Sequence, residues 1–323
     1  MNVCILGATG FIGGHIARAA TQAGWHVRGV RRRPNYEGAI PDLPVEWMPG
    51  SLSDVDTLRR AMAGCEVVFH AAGAYPQDFR RIDREVAAAR AEMDNVLQAA
   101  RTARVRRIIY TSSITTIGQP PPDRLADERD QYRAGSVRSA YFEAKFAMER
   151  LALRESRNPD VVVLLPTAVF GPGDIKPTTG VVIRDAMRGR FPVYFDATIN
   201  AVDVRDVAAS HIAAVERGRR GERYILGGHN LTVYQLLTLV CEQAGVPPPR
   251  YKLARSTVAG LIHLGDALPL IHLPENFRTF QFWQAVSSQK ARAELGHTAR
   301  HIVETVRDTV AWFRQAETRA TTR

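Results

Sequence analysis

Apolar and polar positions fall into alternating blocks along the chain. Short apolar runs at residues 3–6, 26–30, 67–70, 107–110 and 161–165 are separated by longer, alanine-rich amphipathic segments, such as 11–23 and 85–101. Apolar runs with little polar interruption read as strands buried on both faces, and the segments between them read as crossover helices. A further strand is expected to end at Gly50-Ser51-Leu52. Together these predict βαβ units and a parallel sheet covered by helices on both sides. Residues 118–130, rich in proline and charge, read as a surface loop. After residue 165 the regularity loosens, with Gly/Pro turns at 171–173 and 247–249.

The first loop adds chemistry to this pattern. The strand at 3–6 leads into Gly7-Ala-Thr-Gly10-Phe-Ile-Gly13, and a helix-like stretch follows from Phe11. Glycine lets the backbone turn sharply and lets a ligand approach without meeting a Cβ. The helix start presents free N–H groups and a partial positive charge to an anion. The first loop is therefore a candidate diphosphate socket. The expected fold class is α/β: a Rossmann-type doubly wound parallel sheet over residues 1–165, with 203–215 returning to it. Residues 166–323 are expected to form mainly a smaller C-terminal substrate lobe.

Composition narrows the setting. Of 323 residues, 45% are hydrophobic and 24% charged, the balance of a soluble globular protein. The formal charge of +10 is carried mostly by arginine. No nucleic-acid motif or aromatic-basic interleaving accompanies it, so it reads as solvated surface plus an anionic cofactor, with no nucleic-acid partner. Cys4, Cys65 and Cys241 are scattered without metal spacing, which points to a reducing cytoplasm and to no bound metal. Met1 leads straight into the first strand, leaving no room for a signal peptide, and no apolar run has the length of a membrane span.

Tyr141-Phe-Glu-Ala-Lys145 places a phenol and an ammonium on one face of a helix. A nearby cation favours the phenolate, lowering the phenol's pKa toward neutrality, where it can exchange a proton with a carbonyl or alcohol. The strand at 107–110 runs into Thr111-Ser112-Ser113, so hydroxyls emerge at the carboxyl end of a parallel strand, where open α/β sheets bind ligands. A serine there can donate to a substrate oxygen as charge develops on it.

These residues resemble the extended short-chain dehydrogenase/reductases, and the likeness runs over nearly the whole chain. Gly171-Pro-Gly-Asp-Ile-Lys-Pro177, Gly221-Glu-Arg-Tyr-Ile-Leu-Gly-Gly228, Ser287-Ser-Gln-Lys-Ala-Arg292 and Glu294-Leu-Gly296 are similar to dihydroflavonol-reductase-like proteins and hopanoid-associated sugar epimerases. The resemblance implies that Ser113 polarises the carbonyl, that Tyr141 is the acid/base, and that Lys145 binds the nicotinamide ribose and tunes Tyr141. It implies a cofactor site of Gly7, Thr9, Gly10, Phe11, Ile12, Gly13, Arg31, Arg32, Ser51, Leu52, Ala71, Ala72, Gly73, Thr111, Tyr141, Lys145, Pro166 and Val169. Arg31-Arg32-Arg33 closes the second strand where a carboxylate would select NAD(H), so NADP(H) is expected over NAD(H). Serine stands at Ser51 where the family usually has an aspartate. Ala89-Arg-Ala-Glu-Met93 replaces a family Asn-Val-x-Gly-Thr, so a polar group usual near the active site is missing.

Other absences bear on the substrate. The Asp-Glu pair of sugar-nucleotide dehydratases is replaced by Ile114-Thr115-Thr116. The arginine and asparagine that hold a sugar diphosphate in epimerases are replaced by Thr198-Ile199-Asn200 and Thr167-Ala168. Tyr194, Phe282 and Trp283 are candidate walls of an apolar pocket for an aromatic or terpenoid ketone or alcohol. Residues 258–273 read either as lobe core or as an amphipathic lid touching membrane or lipid substrate. The expected reaction interconverts a ketone and a secondary alcohol. The alternatives are a sugar epimerase and a non-catalytic NADP-sensing protein.

Overall fold

The computed structural model describes residues 1–34, 36, 38, 43–73, 81–254, 256–258, 260, 279 and 282–321. Its strands are β1 (Asn2–Leu6), β2 (His26–Arg31), β3 (Val45–Pro49), β4 (Val67–His70), β5 (Arg107–Thr111), β6 (Asp160–Pro166), β7 (Ala168–Phe170), β8 (Val193–Phe195), β9 (Thr198–Asp203), β10 (Arg223–Leu226), β11 (His229–Thr232) and β12 (Tyr251–Leu253). Its helices are α1 (Phe11–Gln22), α2 (Val55–Met62), α3 (Ile82–Thr102), α4 (Ala140–Arg154), α5 (Gly180–Ala186), α6 (Val204–Arg217), α7 (Val233–Ala244), α8 (Gln289–Leu295) and α9 (Ile302–Thr321).

Seven strands form one parallel sheet in the order β10-β6-β5-β4-β1-β2-β3, the doubly wound, Rossmann-like arrangement. The alternation of side chains along each strand builds its two faces. Cys4 and Leu6 of β1 pack with Leu58, Met93, Leu97 and Met148 from α2, α3 and α4. Val3 and Ile5 point the other way, against Ile16 and Ala20 of α1 and Val207 of α6. Both faces are therefore dry, and β4 (VVFH) and the last six residues of β6 are buried throughout.

Edge strand β10 comes from within the glycine-bounded string 221–228. The second half of the chain also forms a three-stranded sheet, β11-β9-β7, and a parallel pair, β12-β8. Helices α5, α7 and α9 pack with them around Phe170, Ile183, Leu236 and Val306. Helix α7 is set by a capping box, Thr232 with Gln235, and stopped by Gly245 in the left-handed region.

Candidate active site

Because the main sheet is parallel, the carboxyl ends of its strands share one edge. The strand order reverses between β1 and β4, where such sheets hold ligands. Gly7 has φ +90, a conformation costly for other residues. A Cβ on Gly7 would lie 2.8 Å from the Ala72 nitrogen, and one on Gly13 would lie 2.6 Å from the Gly7 carbonyl carbon. The turn, the start of α1 and the segment 71–73 are thus in backbone contact that side chains would break. Gly10 caps α1 with no side-chain hydrogen bond and no acidic residue follows in the first turn, so the helix's first N–H groups stay open to an anion. These residues fit the diphosphate of a nucleotide cofactor.

The neighbouring strand ends add to this edge. Thr9 is overlain by Gly38, where a Cβ would come within 2.6 Å of the Thr9 Cα. Arg31 stacks its guanidinium 5.1 Å above the Trp47 ring, and Arg32 beside it is exposed. Ser51 shares a 2.9 Å hydrogen bond with Ser53, and the Leu52 carbonyl accepts from Asn95 Nδ2 at 2.9 Å. A Cβ on Gly73 would stand 4.0 Å from Lys145 Nζ.

Ser113 follows β5 in extended conformation and caps a short 3₁₀ turn, Ile114–Thr116, its Oγ accepting from the Thr115 N–H at 3.3 Å. Ser139 caps α4, which sets Tyr141 in the first turn and Lys145 one turn later. Lys145 Nζ donates to the Thr111 carbonyl at 3.1 Å and lies 5.5 Å from the Tyr110 ring centre. The Thr111 hydroxyl is taken by His211 Nε2 at 2.8 Å. Burial pushes the Lys145 ammonium down to about 8, opposed by the carboxylate of Glu149. Sequence reasoning expected the lysine to lower the Tyr141 pKa. Instead burial raises it, and the counteracting pull is the hydrogen bond with Ser113.

Glu149 was missed. It continues the face of Tyr141 and Lys145 at the next i+4 position, so its signal was available. It is 3% exposed and accepts hydrogen bonds from Ser112 Oγ and, at 2.7 Å, from Thr116 Oγ1. Arg223 of β10 brings its Nε within 2.7 Å of Glu149 and donates through Nη2 to the Thr116 carbonyl at 2.9 Å.

Ser113 and Tyr141 open on a cavity of about 310 Å³. Phe11, Ile12, Pro166 and Val169 are among its lining residues, as are Phe142, Phe282 and Trp283. Phe142 meets Phe282 at 6.3 Å and Phe195 backs Trp283 at 6.2 Å. Tyr194 is not in the described lining: its ring meets that of Tyr234 of α7 at 4.5 Å in a tilted contact and is used in lobe packing. Most of 258–273 lies outside the described residues, although Val258 is buried in the lobe core. Among the described residues the lining holds no lysine, arginine or histidine, and its one ionisable acid besides the tyrosines is Asp174. Asn200, one of the residues standing where epimerases carry a diphosphate ligand, is engaged by Thr167, Gly228 and Asn230 at 2.8–2.9 Å.

Residues 3–227 match the NAD dependent epimerase/dehydratase family, and the chain belongs to it. It is thus an enzyme of the extended short-chain dehydrogenase/reductases, a family that binds pyridine nucleotides. It is 31% identical over 328 residues to a Synechocystis protein provisionally named a dihydroflavonol 4-reductase, covering 96% of this chain and 93% of that one. It is 30% identical over 333 residues to sterol demethylase protein B of Methylococcus capsulatus, covering 98% and 99%. The crystal structure of a nucleoside-diphosphate-sugar epimerase from Pseudomonas aeruginosa superposes with a TM-score of 0.84 at 29% identity, covering 98% of both chains. No helix among the described residues is long and apolar enough to cross a membrane.

Proposed function

We propose that the protein is an NADP(H)-dependent oxidoreductase that interconverts a ketone and a secondary alcohol on an apolar cyclic substrate, aromatic or terpenoid in character. The observation that carries this reading is the chamber beside Ser113 and Tyr141, lined in part by Phe142, Phe282 and Trp283 and without a described cation. A buried sugar diphosphate would need such a cation. The names of the Synechocystis and Methylococcus relatives, one a flavonoid reductase and one a sterol enzyme, support the substrate class.

The residues divide the work by position. The turn with Gly7, Thr9, Gly10, Phe11, Ile12 and Gly13 would hold the cofactor diphosphate. Arg31 and Arg32 would hold the 2′-phosphate, and Ser51 and Leu52 the adenine. Ala71, Ala72 and Gly73 would pass beneath the cofactor, with Thr111, Pro166 and Val169 toward its nicotinamide end. When bound, the nicotinamide supplies or accepts hydride. Ser113 Oγ donates to the substrate oxygen, and Tyr141 Oη gives its proton to that oxygen in reduction or takes it in oxidation. Lys145 holds positive charge beside the phenol and would bind the nicotinamide ribose. Tyr141→Phe is expected to lower kcat for ketone reduction by about 10²–10⁴-fold, with the Kd for NADPH unchanged. Retained turnover would remove Tyr141 from this role, and equal Kd values for NADPH and NADH would remove the arginines from theirs.

The fold likeness to the Pseudomonas epimerase supports a second reading, transient oxidation of a sugar. Oxidised cofactor that co-purifies tightly would favour it; free exchange of NADPH favours the reductase. A cofactor sensor would have no need of the intact set Ser113, Tyr141 and Lys145.

A further inference from the structure

We propose that Asp174, together with Gln284 and Thr115, forms a hydrogen-bond acceptor station in the substrate chamber, and that the substrate is an uncharged cyclic ketone or alcohol bearing an additional hydroxyl group that docks there. This inference rests on the reductase reading and names its substrate class more closely. All three residues line the chamber. Asp174 is 7% exposed, and no hydrogen bond or ion pair to its carboxylate occurs among the described residues. Arg184 acts on it only at a distance and is paired with Asp185 at 3.4 Å. Gln284 donates its amide to the Gly118 carbonyl at 2.9 Å, which leaves Oε1 buried and unpartnered. Thr115 Oγ1 is likewise buried and unpartnered.

Three unmet polar groups around one largely apolar chamber are unusual, because a buried acceptor without a donor carries its full desolvation cost. A ligand that brings donors removes that cost. Asp174 is also held in place. It follows Gly171-Pro172-Gly173, whose glycines have φ +145 and +93, and His15 of α1 binds the Pro172 carbonyl at 2.8 Å. Gly180 makes room for it, since a Cβ there would overlap Asp174 Oδ2. Burial raises the carboxyl to about 6, so near neutral pH it can accept a hydrogen bond or, when protonated, donate one. A hydroxyl suits both states. Gln284 and Thr115, both neutral, suit a hydroxyl as well.

The test uses 4-chromanone and its four derivatives hydroxylated on the aromatic ring. Binding to the NADP⁺-loaded protein is read by calorimetry and reduction by NADPH oxidation. At least one hydroxylated isomer is expected to bind about tenfold tighter than 4-chromanone, the worth of one hydrogen bond to a charged acceptor. That ratio should fall below about twofold in Asp174→Leu. Gly180→Ala, which displaces the carboxylate without deleting it, should also lower it. Thermal midpoints report folding, and that of Asp174→Leu should equal or exceed the parent's near pH 7. Absence of any hydroxyl preference, or a preference that survives both substitutions, overturns the inference. Preferential binding without NADPH oxidation upholds it and removes the reductase reading. Turnover of parent and hydroxylated ketones alike does the reverse, and neither binding nor turnover overturns both.

Discussion

Lys145 shows how neighbours set the working range of one side chain. Burial lowers its pKa to about 8, and Glu149 is the group that resists the fall. Ketone reduction, read as kcat/KM, is therefore expected to decline as pH rises through about 8, when the ammonium proposed to bind the nicotinamide ribose loses its charge. In Glu149→Gln the same limb should move to lower pH, because the carboxylate that supports the ammonium is gone. A limb that stays in place would show that Glu149 acts on packing alone. The Tyr141/Lys145 pair could be read from one helix turn of sequence. Asp174 and Gln284 could not, because the chamber they share is built from loops more than a hundred residues apart, and nothing local to either residue records the other.

The first strand, turn and helix form the element most legible in sequence. The apolar run at 3–6 and the amphipathic stretch from Phe11 became β1 and α1 nearly residue for residue. Glycine spacing predicted a socket; the structure shows that Gly13 is required by backbone contact with Gly7 as much as by any ligand. Gly13→Ala should cost roughly 1–3 kcal/mol of stability through overpacking and weaken NADPH binding at least tenfold. Gly24→Ala is the control: its φ is +75 but open space surrounds it, so it should cost stability and leave NADPH affinity unchanged. Equal effects on NADPH from both substitutions would refute the distinction. Strand β10 was not legible as a strand, because four residues between glycines carry too little periodicity. Its place is fixed by pairing with β6, a partner distant in sequence.

At the scale of the molecule, the pair Arg223–Glu149 joins the edge strand from the second half of the chain to the helix that carries Tyr141 and Lys145. Glu149 is buried and Arg223 half-buried. Arg223→Met should cost about 3–5 kcal/mol, the loss expected when a buried charge is left unpaired, measured by denaturant unfolding. A loss under about 1 kcal/mol, the level of a surface ion pair, would show that the network is not structural. The opposite case is Asp174. Its folded carboxyl is held at about 6, above its ordinary value of 3.8. Its contribution to stability is thus present in acid and is lost as pH rises from about 4 through 6, a swing of roughly 3 kcal/mol. At neutral pH the chain would be sturdier without it. A programme of thermostabilisation guided by energy alone would choose Asp174 among its first replacements, and on the reading proposed above would trade discrimination between substrates for a few degrees of heat tolerance.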